Sequence, residues 1–219
     1  MDEEIKTANP LGYQKISKLL RSLAIPAIIA NLVNALYNVV DQIFIGQGIG
    51  YLGNAATNIA FPITTICLAI GLTLGIGGAS NFNLELGKGN PEKSKHTAGT
   101  AASTLIIIGI ILCISIRIFL EPLMISFGAT DKILQYAMEY TGITSYGIPF
   151  LLFSIGVNPL VRADGNARYS MMAIITGAVL NTILDPLFMF VFHWGIAGAA
   201  WATVRSEEHT SELQSRDSI

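Results

Sequence analysis

Two aspartates lie inside apolar stretches of this chain, where an ionised group is expensive. Asp41 follows a run of Leu, Ile, Val and Ala, and Asp185 sits in a similar run directly before Pro186. A carboxylate at the centre of a membrane helix costs about 2.5–3.5 kcal/mol on insertion scales, so such a residue marks a functional site by default. Asn31, Asn34 and Asn38 precede Asp41 at spacings of three, four and three. At about 100° per residue they share one helix face with it, spanning about 80°. Tyr37 borders that face. A polar stripe of this kind faces protein or a watery cavity, because lipid cannot satisfy it. The asparagines could equally bond neighbouring helices together; the carboxylate favours a cavity. Asn181 and Asp185, four apart, also share a face. Pro186 removes a backbone donor and clashes with the preceding turn, so a kink is expected there, with freed carbonyls that could help hold a cation. Asp185 could instead only repair the interrupted ladder.

The elements that must carry these residues are membrane spans. Of the 219 residues, 52% are apolar and only 13% charged, against roughly 25% charged in an average soluble domain. A bilayer core needs about 20 apolar residues as helix. Apolar runs occupy 19–45, 54–80, 97–120, 137–161 and 169–192, and a sixth starts at Gly195 and stops at Val204. The expected fold is therefore an all-α integral membrane bundle of five full transmembrane helices plus a truncated sixth. Pro26 and Pro62 are expected bend points in the first two spans. Gly71, Gly75 and Ala79 offer a small-residue stripe for close helix packing. Asn90-Pro91-Glu92 reads as a helix start. Residues 121–136 could hold a short surface helix, and His193-Trp194-Gly195 a short aromatic turn at an interface.

Basic residues orient the bundle. With a cytoplasmic N-terminus, the inside carries Lys6, Lys15, Lys18, Arg21, Lys88, Lys93, Lys95, Arg162 and Arg168, and the outside only Arg117 and Lys132. This bias predicts residues 1–18 as a cytoplasmic segment of a multi-pass protein in the cytoplasmic membrane. No signal peptide is read at the N-terminus.

Depth then tests whether the polar residues can meet. At 1.5 Å per residue, Asp41 lies about 8–10 Å, Asp185 about 12 Å and Thr203 about 12 Å below the outer ends of their helices. Asn181 lies one turn deeper. Two carboxylates, an amide and a hydroxyl form a hard oxygen set, suited to Na⁺ or a proton. Two carboxylates in low dielectric are not stable doubly ionised without a cation, so proton and cation compete for them. That competition is the physical basis of ion coupling.

Other classes find little support. The net charge of −2 offers no basic footprint for nucleic acid. No GxxxxGK[ST] loop occurs, and GIGGAS lacks dinucleotide spacing. No Ser-His or metal-His pair lies within the spans, so no enzyme is expected. Cys67 and Cys113 read as small buried hydrophobes. From Arg205 the chain reads RSEEHTSELQSRDSI, and its composition flips in mid-span. This string resembles translated sequencing-adapter read-through, so 205–219 is set apart as an artefact tail; a genuine polar C-terminus is the alternative.

Four strings carry a family resemblance: LVNALYNVVDQIFIGQGIG, LGKGNPEKSKH, VRADGNARYSM and VLNTILDPLFMFVFHWGIAGAAWAT. Over residues 11–204 the chain resembles the multidrug and toxic compound extrusion (MATE) family. That resemblance implies a twelve-helix fold in two lobes, of which 19–204 would be an incomplete N-terminal lobe lacking its C-terminal partner lobe. It implies an H⁺ or Na⁺ site at Asp41, Asn181, Asp185 and Thr203, the same residues that depth selects. It also implies antiport of small organic cations by alternating access, with no cofactor beyond the coupling ion. The Asn31, Asn34, Tyr37 and Asn38 face would then line the substrate cavity. Two alternatives stay open: a lipid-linked precursor flippase of a related family, and a non-transporting membrane scaffold.

Overall fold

The computed structural model describes residues 15–217. Residues 1–14 of the expected N-terminal segment and 218–219 of the tail lie outside the described residues. The described chain is an all-α membrane bundle. In order come α1 (Ile16–Gly48), α2 (Tyr51–Gly87), α3 (Pro91–Ile118), α4 (Leu120–Ser126), α5 (Asp131–Thr144), α6 (Ile148–Ala163), α7 (Ala167–Pro186) and α8 (Gly195–Asp217). Five segments are long and apolar enough to cross a bilayer: α1, α2, α3, the α5–α6 unit, and α7 with the turn after it. Their exposed faces carry Leu32, Leu36, Ile107, Ile111 and Ile114, as the lipid side of a bundle requires.

The spans match the apolar runs, with three differences. The fourth is interrupted by a 3-10 turn at Ser145–Gly147. Pro149 in the first turn of α6 has no N–H to give Ser145 O, which accepts from Ile148 N instead. Nearby, Arg117 Nη1 donates to Gly142 O at 2.8 Å, while its guanidinium covers the Tyr146 ring at 4.1 Å. Next, the kink expected at Pro186 takes the form of a π-helical turn, Leu187–Val191. Proline leaves the carbonyl of the preceding turn without its usual donor, and the wider winding absorbs the mismatch. Third, Asn90 occupies the N-cap position of α3, with Pro91 behind it, but makes no side-chain cap. Its amide turns instead to Glu85 at 3.4 Å, beside the Glu85–Lys88 ion pair.

Pro26 and Pro62 lie within unbroken α1 and α2. Residues 121–136 hold α4 and the start of α5. The 193–195 turn places His193 and Gly195 at φ of 56° and 57°, and Trp194 packs on Phe188 and Phe192. Helix α8 runs through the composition change at Val204 and buries Ser206, Thr210 and Ser211.

Helix packing in lipid rests on close van der Waals contact, not on exclusion of water. Helix α6 is the hub, packed against α2, α3 and α8. It meets α2 backbone to backbone: a Cβ on Gly75 would lie 2.7 Å from Gly156 Cα. Gly71, Gly75 and Ala79 are all buried on this face of α2, the face that their four-residue spacing predicts. Gly75→Val should therefore force α2 off α6 and destabilise the fold by about 1–3 kcal/mol. Gly77→Ala, with nothing near its added Cβ, should not. Thermal unfolding in detergent checks the pair; equal melting temperatures would remove this contact from the packing.

Candidate functional site

Helices α1 and α7 pack along each other and bring Asp41 and Asp185 side by side, their carboxyls within hydrogen-bond reach. Asn181 Nδ2 donates to Asp185 Oδ1 at 3.4 Å. Asp185 is 0% exposed, Asn181 1% and Asp41 8%. Local sequence explains the fit on α7, where Ala178 and Asn181 share the buried face with Asp185. The π-turn begins two residues past Asp185, and such windings recur at functional sites.

Asp41 also faces a cavity of about 180 Å³, enclosed by α1, α2, α5, α6 and α8. Asp185 and Asn181 do not line it. Asp41 therefore stands between the cavity and the more deeply buried pair. Tyr37 and Asn38 share the cavity wall with it, as do Gln42, Thr57, Tyr140, Thr203 and Glu207. Thr203 donates its hydroxyl to Ala199 O at 3.0 Å, which leaves its oxygen free to accept. Tyr140 shares the cavity wall with it. Thus three of the four expected ion-site residues touch in sequence, Asp41 to Asp185 to Asn181. The fourth, Thr203, reaches the same space across the cavity with Tyr140.

Three buried oxygens of this cluster have no donor: Asp41 Oδ1, Asn181 Oδ1 and Asp185 Oδ2. A buried acceptor left unmet costs about 1–3 kcal/mol, so three adjacent ones form a site that a proton or a hard cation would satisfy. Among the described residues, no Lys or Arg lines the cavity.

The asparagine stripe divides. Asn38 reaches the cavity wall, although its Nδ2 donates to Asn34 O at 2.7 Å. Asn31 and Asn34 are exposed and lie off the wall. Sequence reasoning passed over Gln42, Thr57 and Tyr140. Gln42 lies one residue off the stripe. Tyr140 belongs to a polar α5 face with Thr141 and Thr144, a helical spacing that would have found it. Glu207 belongs to the string set apart on composition.

The MatE family model matches residues 26–187. The chain belongs to the MatE family. It is 26% identical to the multidrug export protein MepA of Staphylococcus haemolyticus, covering 87% of this chain and 42% of that protein. It is 30% identical to an FAD transporter of Shewanella oneidensis, over 92% of this chain and 45% of the other. Among solved structures, an outward-facing multidrug-resistance MATE transporter of the MOP superfamily superposes with a TM-score of 0.82 at 31% identity, covering 90% of this chain and 44% of that one. The MatE chain described here thus spans less than half the length of the relatives it matches.

The unmet oxygens yield a stability prediction. A bound ion at about 100 times its dissociation constant stabilises a fold by about 2.7 kcal/mol. Na⁺ or acid should therefore raise the melting temperature of the wild-type chain in detergent. Asp41→Asn/Asp185→Asn should melt at the same temperature with and without the ion. A double variant that still responds would place the ion elsewhere.

Proposed function

We propose that this MatE chain is the N-terminal lobe of a secondary transporter, with its N-terminus cytoplasmic, that exports organic cations in exchange for H⁺ or Na⁺. The carrying observation is the buried Asp41–Asp185–Asn181 cluster with its three donor-free oxygens. Family membership supports transport, and relatives named for multidrug export and for FAD transport differ in what they carry. The cavity chemistry favours a cationic substrate: Asp41 is on its wall, aromatic Tyr37, Phe61 and Tyr140 share that wall, and no basic side chain among the described residues lines it. Aromatic faces and a carboxylate suit an organic cation. A pyrophosphate-bearing lipid precursor would want the opposite charge, which disfavours the flippase reading.

The coupling follows from occupancy. With Asp41 and Asp185 neutralised by the ion, the cavity loses its attraction for an organic cation. With the ion gone, the carboxylates recover it. Ion and drug then alternate at neighbouring positions, and each drives release of the other when the bundle opens to the opposite side.

The test is efflux of a fluorescent organic cation from vesicles holding the complete gene product, under an imposed H⁺ or Na⁺ gradient. Asp41→Asn and Asp185→Asn should each lower gradient-driven efflux by about tenfold or more, since each removes one charge-compensating ligand. Gradient-driven efflux at the wild-type rate in both variants would remove the pair from the mechanism.

A further inference from the structure

Helices α3 and α6 run antiparallel: Gly109 faces Pro149, while Arg117, further along α3, reaches back to Gly142. They meet with almost nothing between them, since a Cβ on Gly109 would lie 2.6 Å from Pro149 Cα. This contact is the floor of a furrow on the outside of the bundle. At about 100° per residue, Ile106, Ile110 and Arg117 share one flank of Gly109, and Tyr146 and Phe150, four apart, share one flank of Pro149. All five are exposed. Arg117 and Tyr146 meet across the furrow, the guanidinium 4.1 Å from the ring centroid, so the two flanks border the same space. The furrow is apolar along its length and headed by one cation, in the last turn of α3.

That cation keeps donors to spare. Arg117 Nη1 donates to Gly142 O at 2.8 Å and lies 3.4 Å from Ser145 Oγ, both neutral acceptors. Tyr146 covers its face and stacks in turn on exposed Trp201, with centroids 6.3 Å apart. Among the described residues no carboxylate pairs with it. A guanidinium presents five N–H donors in one plane, and these hydrogen bonds use one of its nitrogens. An arginine with free donors at the end of a membrane span suits a phosphate, which it can grip with two parallel bonds. Tyr and Trp beside it are the side chains favoured at headgroup depth. Free phosphate would meet only the guanidinium. A phospholipid meets the guanidinium with its phosphate and the apolar furrow with its chain.

We propose that the furrow between α3 and α6 is a phospholipid site. Arg117 takes the headgroup phosphate in the leaflet at the C-terminal end of α3, and an acyl chain lies along Ile110 and Phe150 over the Gly109–Pro149 contact. The site stands apart from Asp41 and Asp185 and does not depend on ion coupling. The same guanidinium braces the 3-10 break in the fourth span, so a lipid held there stabilises the bundle.

The test uses the complete gene product, delipidated in detergent. Dioleoyl-phosphatidylglycerol, dioleoylglycerol and inorganic phosphate are titrated separately, with binding read by native mass spectrometry and by melting temperature. Phosphatidylglycerol should bind wild type and raise its melting temperature. Arg117→Gln should weaken that binding about tenfold or more, the loss expected for a charge-assisted hydrogen bond. Dioleoylglycerol, which lacks the phosphate, should bind both proteins weakly and alike. Lys132→Gln removes a cation off the furrow and should bind phosphatidylglycerol as wild type does. Arg117→Gln also loses the Gly142 hydrogen bond, so Ile110→Ser gives a second reading with that bond intact. At an exposed position it should leave the lipid-free melting temperature unchanged and weaken phosphatidylglycerol about threefold, through lost contact with the chain. Wild-type phosphatidylglycerol affinity in either furrow variant overturns the site, and is the result expected if the rest of the protein covers this face. A melting rise with inorganic phosphate equal to that with phosphatidylglycerol overturns the lipid assignment.

Discussion

Two carboxyl groups held against each other inside a bilayer set the demands on the rest of this bundle. Neither can be left ionised and unpaired there without a penalty of several kcal/mol. Asp41 and Asp185 come from helices far apart in sequence, so only the packing of α1 along α7 creates the pair. That packing must be firm enough to hold buried, unmet oxygens in one place. Asp41 stands on a cavity wall, with Asp185 buried away from the cavity. With its buried oxygens unmet, the cluster is costly to hold together.

The irregular backbone lies around this cluster. The 3-10 turn at 145–147 lets Ser145 and Gly147 line the cavity, and the π-turn follows Asp185 and Pro186. In hydrocarbon such breaks survive only where freed backbone groups find partners within the protein. Arg117 supplies one at Gly142 O and shields its charge against Tyr146, which stacks in turn on Trp201. The regular part of the bundle bears the opposite signature. Gly75 against Gly156, and Gly109 against Pro149, let helices touch at the backbone, giving the rigid frame on which the irregular segments are hung.

Much was legible in the sequence because the bilayer imposes so few solutions. Length and hydropathy of the apolar runs determined the five spans, and four-residue spacing determined the glycine face of α2. Periodicity put Asp41 on a polar stripe and Asn181 beside Asp185, and depth along the helix axes put both carboxylates in one layer. Depth is one coordinate, however, and contact needs three. Only tertiary structure decided that α1 lies along α7, that Asp41 but not Asp185 opens to the cavity, and that Asn38 reaches the wall while Asn31 and Asn34 do not. It also decided that Tyr140 of α5 shares a cavity wall with Gln42 of α1 and Thr57 of α2. Local periodicity determines which face of a helix is polar; which helix that face meets is set by packing the whole bundle.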